Sequence, residues 1–86
     1  MVEKSFVIKN ETGLHARPAS LFVQKAAKYK SVIKVQKDGK EANAKSIISV
    51  LSLGASKGSE ILISADGVDA EEAVDGLIEL LDNLEE

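Results

Sequence analysis

The chain has 86 residues, 44% of them apolar and 29% charged, with a formal net charge of −3. That suits one small globular domain, taken here as residues 1–86, with a modest core and no deep active-site cavity. With no cysteine and one histidine, a disulfide framework and a thiolate metal site are excluded.

No stretch approaches the ~20 apolar residues that span a bilayer. The opening Met1-Val2-Glu3-Lys4-Ser5-Phe6 has no signal-peptide character, so a cytoplasmic location is expected. Charge is unevenly placed. Residues 1–59 hold all 11 basic residues against four acidic ones, and residues 60–86 hold ten acidic residues and no basic one. A positive region favours encounter with acidic partners, whereas the acidic tail also suits an ordinary solvated helix face.

Val2, Lys4, Phe6 and Ile8 alternate with Glu3, Ser5, Val7 and Lys9, the period of a half-buried strand. Asn10-Glu11-Thr12-Gly13 reads as a loop. A helix with Pro18 in its first turn is expected to run to about Tyr29, with Ala19, Phe22, Val23 and Ala26 on one face. Proline is tolerated in a first helical turn but disfavours helical angles at Arg17 before it, leaving the first helical residue open.

Val32–Lys37 and Lys40–Ala44 read as strands joined by an Asp38-Gly39 hairpin turn. Ser46 is placed to cap a short helix that Gly54 ends. A strand follows over Glu60–Ala65, with Ile61, Ile63 and Ala65 on one face. In the last helix Asp69 and Glu72 have capping-box spacing, and Ala70, Ala73, Val74, Leu77, Ile78 and Leu81 keep the helical period. The order β-α-β-β-α-β-α predicts an α+β domain of two layers.

The most specific chemistry lies in Gly13-Leu14-His15-Ala16-Arg17-Pro18-Ala19, between the first strand and the first helix. A helix start offers amide donors and partial positive charge to an anion. Arg17 adds a planar donor fork suited to phosphate oxygens. A lone loop histidine is ordinarily just a surface residue, but beside an arginine at a helix start it suits reversible carriage of a phosphoryl group.

Two segments, Thr12-Gly13-Leu14-His15-Ala16-Arg17-Pro18-Ala19 and Asn43-Ala44-Lys45-Ser46-Ile47 followed by Leu51-Ser52-Leu53-Gly54, resemble HPr. This is the family of histidine-containing phosphocarriers in the bacterial phosphoenolpyruvate:sugar phosphotransferase system. The second segment is similar to the regulatory-serine segment of HPr proteins from low-GC Gram-positive bacteria. The resemblance implies an open-faced sandwich, a four-stranded antiparallel sheet with three helices on one face. It further implies that phosphorylated Enzyme I loads Nδ1 of His15, which then passes the phosphoryl group to IIA domains of sugar permeases. Ala16 and Arg17 would meet the incoming charge.

By the same resemblance, Ser46 is the substrate of an ATP-dependent HPr kinase/phosphorylase, and the serine-phosphorylated form a corepressor for the catabolite control protein. Ile47, Ile48 and Leu51 are expected to supply an apolar docking patch, with Ser20 and Gln24 beside it on the first helix. Ile47 and Leu51 also suit an inward-packed reading. The chain departs from the commonest family pattern at Ile48 and Ser49, where methionine and glycine are usual. A monomer is expected, with no cofactor, metal, membrane insertion or direct nucleic-acid binding.

Rival readings are weaker. One histidine and no cysteine leave a metalloenzyme only carboxylate ligands. The strand pattern counts against an all-helical acyl carrier protein, whose prosthetic-group serine motif is absent. Few aromatics and no basic recognition helix count against nucleic-acid binding. Within the family, a paralogue serving a regulatory, nitrogen-type phosphorelay remains open. A purely catabolite-repression paralogue lacking the acceptor histidine is disfavoured because His15 is present.

Overall fold

A computed structural model describes residues 1–84. Four strands, β1 (Val2–Val7), β2 (Val32–Lys37), β3 (Lys40–Asn43) and β4 (Glu60–Asp66), alternate with helices α1 (Ala16–Ala26), α2 (Ile47–Ser52) and α3 (Ala70–Asp82) in the order β-α-β-β-α-β-α. The sheet order is β1-β4-β2-β3, antiparallel throughout.

Register explains which face is buried. Phe6 lies opposite Ile61, Val35 opposite both Ile63 and Ala42, and Ile33 opposite Ala65. Because side chains alternate across a strand, these residues share one face. All but Phe6, which packs at the margin, join Phe22 of α1 and Val74, Leu77 and Leu81 of α3 in one core cluster. The other face carries the rows Ser5–Leu62–Gln36–Glu41 and Glu3–Ser64–Lys34–Asn43, which are polar apart from Leu62. The result is an open-faced α+β sandwich.

Local chemistry sets the turns. Asp38 (φ 50) and Gly39 (φ 82) both adopt positive φ, as a two-residue hairpin that follows strand twist requires. Ser46 caps α2 as expected, its hydroxyl accepting the Ser49 amide at 3.4 Å.

Two sequence expectations are corrected. The first helix stops at Ala26 rather than near Tyr29. Beyond it the Lys28 and Tyr29 amides bond three residues back, to Lys25 O and Ala26 O, which tightens the chain into a turn. The Tyr29 carbonyl accepts from Lys45 Nζ at 2.7 Å.

Secondly, Asp69 and Glu72 form no capping box, because the Asp69 side chain makes no cap hydrogen bond. Its carboxylate instead accepts from the Lys30 amide (2.8 Å), the Ser31 amide (2.9 Å) and Ser31 Oγ (2.5 Å). Those three donors, the Ser31 hydroxyl first, hold the Asp69 carboxyl below its ordinary value. Val23 and Ile78 are half-buried and pack against the margin of the core.

The acidic tail is partly answered within the fold. Lys4 and Lys9 reach Asp75 and Asp82 of α3, each at 2.6 Å. Half-exposed pairs of this kind screen charge more than they stabilise.

Candidate functional site

His15 is the N-cap of α1, with extended backbone angles (φ −85, ψ −170). Its carbonyl accepts the first intrahelical bond, from the Ala19 amide at 2.8 Å. Its imidazole is exposed and makes no capping hydrogen bond. The helix therefore starts earlier than Pro18, which sits buried in the first turn and supplies no amide of its own. Helix geometry directs the amides of Ala16 and Arg17 out of the N-terminal end, the position the sequence reading assigned to an anion. No acidic residue occupies that first turn.

The backbone before His15 is closely held. Gly13 (φ +63) passes so near the α2–β4 loop that a Cβ there would lie 2.4 Å from Ala55 O and 2.6 Å from Ser56 Cα. Only glycine fits both the angle and the approach. Leu14 is buried, and its amide donates to Ala55 O at 3.0 Å. The same two loops meet again where Ile8 O accepts the Gly58 amide (2.9 Å) and Lys57 Nζ reaches Glu11 at 2.7 Å. That hydrogen bond and the ammonium charge hold the Glu11 carboxyl below its ordinary value.

Ser20 and Gln24, one helical turn apart, bond each other at 3.3 Å on the part of α1 that faces away from the core. On α2 the inward residue is Val50, whereas Ile47 (38% exposed), Ile48 (75%) and Leu51 (39%) face outward. Ile47 and Leu51 are partly covered, and Ile48 is the most exposed of the three. The two helices pack against each other.

Two residues escaped sequence reasoning. Leu21 is an exposed apolar side chain on α1. Its place four residues after Arg17 and three before Gln24 would have put it on the outer helical stripe. Asn10, read as a loop residue, is buried and donates from Nδ2 to Gly13 O at 2.8 Å. No local signal pointed to it.

Among the described residues no group of three or more His, Cys, Asp or Glu could hold a metal. No described helix is long and apolar enough to cross a membrane.

Fold and site together define a small open-faced α+β protein that presents one exposed imidazole at a helix start, the form of a covalent carrier of anionic groups. Comparison with known proteins gives the family. The model "PTS HPr component phosphorylation site" matches residues 2–83, and the chain belongs to this HPr family of phosphocarriers. It is 48% identical over 82 residues to the HPr-like protein Crh of Halalkalibacterium halodurans, covering 95% of this chain and 98% of that protein. An HPr structure from Thermoanaerobacter tengcongensis is 54% identical, covers 95% of this chain and 92% of its own, and superposes with a TM-score of 0.93. The domain-swapped dimer of Crh from Bacillus subtilis is 43% identical, with coverages of 95% and 94% and a TM-score of 0.76.

Proposed function

We propose that the chain carries a phosphoryl group on Nδ1 of His15, received from phosphorylated Enzyme I and passed to IIA domains of sugar permeases. The observation that carries this is the exposed His15 ring at the α1 N-cap, free of any capping bond and adjacent to the outward amides of Ala16 and Arg17. Neutral imidazole, with its proton on Nε2, attacks phosphorus through the Nδ1 lone pair. A phosphorus–nitrogen bond forms on His15 as the bond from phosphorus to the donor atom of Enzyme I breaks, and that donor atom leaves with the bonding pair.

An unprotonated imidazole nitrogen is a competent nucleophile toward phosphorus. The helix-end amides and the Arg17 guanidinium meet the arriving charge. Helix-end stabilisation of an anion is only about 0.3–1 kcal/mol at exposed sites, weak enough for onward transfer.

Incubation with Enzyme I and phosphoenolpyruvate should yield an acid-labile phosphate adduct that His15→Ala abolishes. No adduct, or one that survives the substitution, overturns the assignment. The carrier is expected to act in the cytoplasm as a monomer, and gel filtration checks the second point against the dimer solved for the Bacillus subtilis relative.

A second role is assigned to Ser46 as a regulatory phosphorylation site, modified by an HPr kinase/phosphorylase and read by the catabolite control protein. The similarity to Crh, a protein named for catabolite repression in Bacillus subtilis, supports it. The exposed residues Leu21, Gln24, Ile47, Ile48 and Leu51, with the half-buried Ser20 beside them, are proposed as the docking face. Ile48 is stiffer than the methionine usual in the family and so less able to adapt to several partners. The competing reading, a paralogue serving a nitrogen-type phosphorelay, predicts loading of His15 without reconstitution of sugar phosphorylation when Enzyme I and a sugar permease are supplied.

A further inference from the structure

We infer that Asn10 is a positioning residue for His15, acting through the peptide unit that joins Gly13 to Leu14. The inference rests on His15 being the phosphoryl acceptor. Both ends of that peptide unit are clamped. Its carbonyl accepts from Asn10 Nδ2 at 2.8 Å, and its amide donates to Ala55 O at 3.0 Å. A peptide unit is planar and rigid, so two opposed bonds fix its tilt one residue ahead of His15. Beyond His15, the Ala19 amide holds the His15 carbonyl at 2.8 Å.

The imidazole itself makes no capping bond. The direction in which the Cα–Cβ bond of His15 leaves the backbone is therefore set by these neighbours. That direction governs whether a phosphoryl group on Nδ1 meets the amides of Ala16 and Arg17.

Of the two bonds on the clamped unit, the one from Asn10 is made by a side chain and is open to mutation. Asn10 is built in: the residue is 5% exposed, its main-chain carbonyl accepts the Gly13 amide at 3.2 Å, and Nδ2 also lies 3.4 Å from Thr12 Oγ1. No buried side-chain nitrogen or oxygen among the described residues lacks a partner.

A small misplacement of a reacting group is enough to slow transfer tenfold or more. Asn10→Ala removes the donor. Asn10→Asp keeps the shape but turns an acceptor toward the Gly13 carbonyl. Phosphorylation by Enzyme I and phosphoenolpyruvate should fall about tenfold in kcat in both variants, with KM for the carrier within about twofold because the docking residues are untouched. The acid-labile adduct should hydrolyse at an altered rate. Asp69→Asn, which loosens a contact remote in sequence from His15, serves as the stability comparator and should keep its kcat.

Wild-type rates in both Asn10 variants overturn the inference. So does a loss carried by KM alone, or an equal loss in Asp69→Asn. Wild-type protein that takes up no acid-labile phosphate overturns the reading of His15 and this inference with it. Loaded wild type beside unimpaired Asn10 variants overturns the inference alone.

Discussion

The first turns of α1 and α3 treat the same electrostatic problem in opposite ways. At α3 the positive end of the helix is answered from within: Glu71 and Glu72 stand in the first turn, where carboxylates are favourable. At α1 no acid is present, and the charged residue in the first turn is Arg17, whose sign adds to the helix end instead of opposing it. For stability alone the α1 arrangement is a poor choice. It becomes sensible once a phosphoryl group with two negative charges is expected there for part of each cycle. One helix start carries acidic side chains in its first turn, and the other carries none there.

The contrast extends to the backbone and gives the largest expected effect. The approach to α1 is crowded, so Gly13→Ala combines left-handed strain of about 1–2 kcal/mol with overlap onto the backbone of Ala55 and Ser56. A total near 3 kcal/mol is expected, lowering the melting temperature of so small a domain by about 10–20 °C. Gly39→Ala also has positive φ (+82) but opens onto free space, and should cost about 1 kcal/mol. Equal melting temperatures for the two variants would show that crowding at the α1 entry does not constrain the fold.

Reversing the charge at the α1 start comes next. Arg17→Glu should slow phosphorylation by Enzyme I about a hundredfold, roughly 2.7 kcal/mol at the transition state. Arg17→Lys, which keeps the charge but loses the planar fork, should lie between the two. An initial-rate assay that finds Arg17→Glu as fast as wild type would remove the electrostatic role of this helix end.

Ser46, at the start of the third helix of the set, α2, is smaller in effect and acts on the partner. A doubly charged phosphate about 8 Å from one acidic group, at an effective dielectric near 40, is repelled by about 2 kcal/mol, roughly thirtyfold in affinity. Ser46→Asp brings half that charge and should weaken docking about fivefold. KM for the carrier in the Enzyme I reaction reports it, and an unchanged KM in Ser46→Asp counts against the electrostatic account.

Features written in short segments were legible in the sequence. Asp38-Gly39 gave the hairpin because few residue pairs tolerate positive φ at both positions. The alternation of Ile61, Ile63 and Ala65 gave the buried face of β4. His15 and Ser46 fell at their helix starts because capping and chain-entry rules are local. What stayed hidden depends on partners far along the chain. Gly13 meets Ala55 more than forty residues away in sequence, and no periodicity encodes that approach. Asn10 is buried in the loop that makes this approach. Leu21 differs, since its place on the outer helical stripe is written in its spacing from Arg17 and Gln24.

Asp69 shows how a local rule fails. Its spacing to Glu72 fits a capping box, yet its backbone angles (φ −115, ψ 28) leave the extended region that a capping residue uses. Donors 38 and 39 residues away take the carboxylate instead. That substitution of a distant partner for a local one gives the last and smallest prediction. Because Ser31 and Lys30 hold the Asp69 carboxyl below the ordinary aspartate value of 3.8, its contribution to stability is fully present above that value. It is lost as pH falls through the lower folded-state value. Asp69→Asn keeps one acceptor oxygen but no charge, so its melting temperature should fall below wild type at pH 7, by less than the Gly13→Ala loss. The gap should close as pH drops from about 4 toward 2. A gap that stays constant over that range would mean that the charge of Asp69, as distinct from its shape, adds nothing at the α3 start. The contrast with α1 would then rest on Glu71, Glu72 and Arg17 alone.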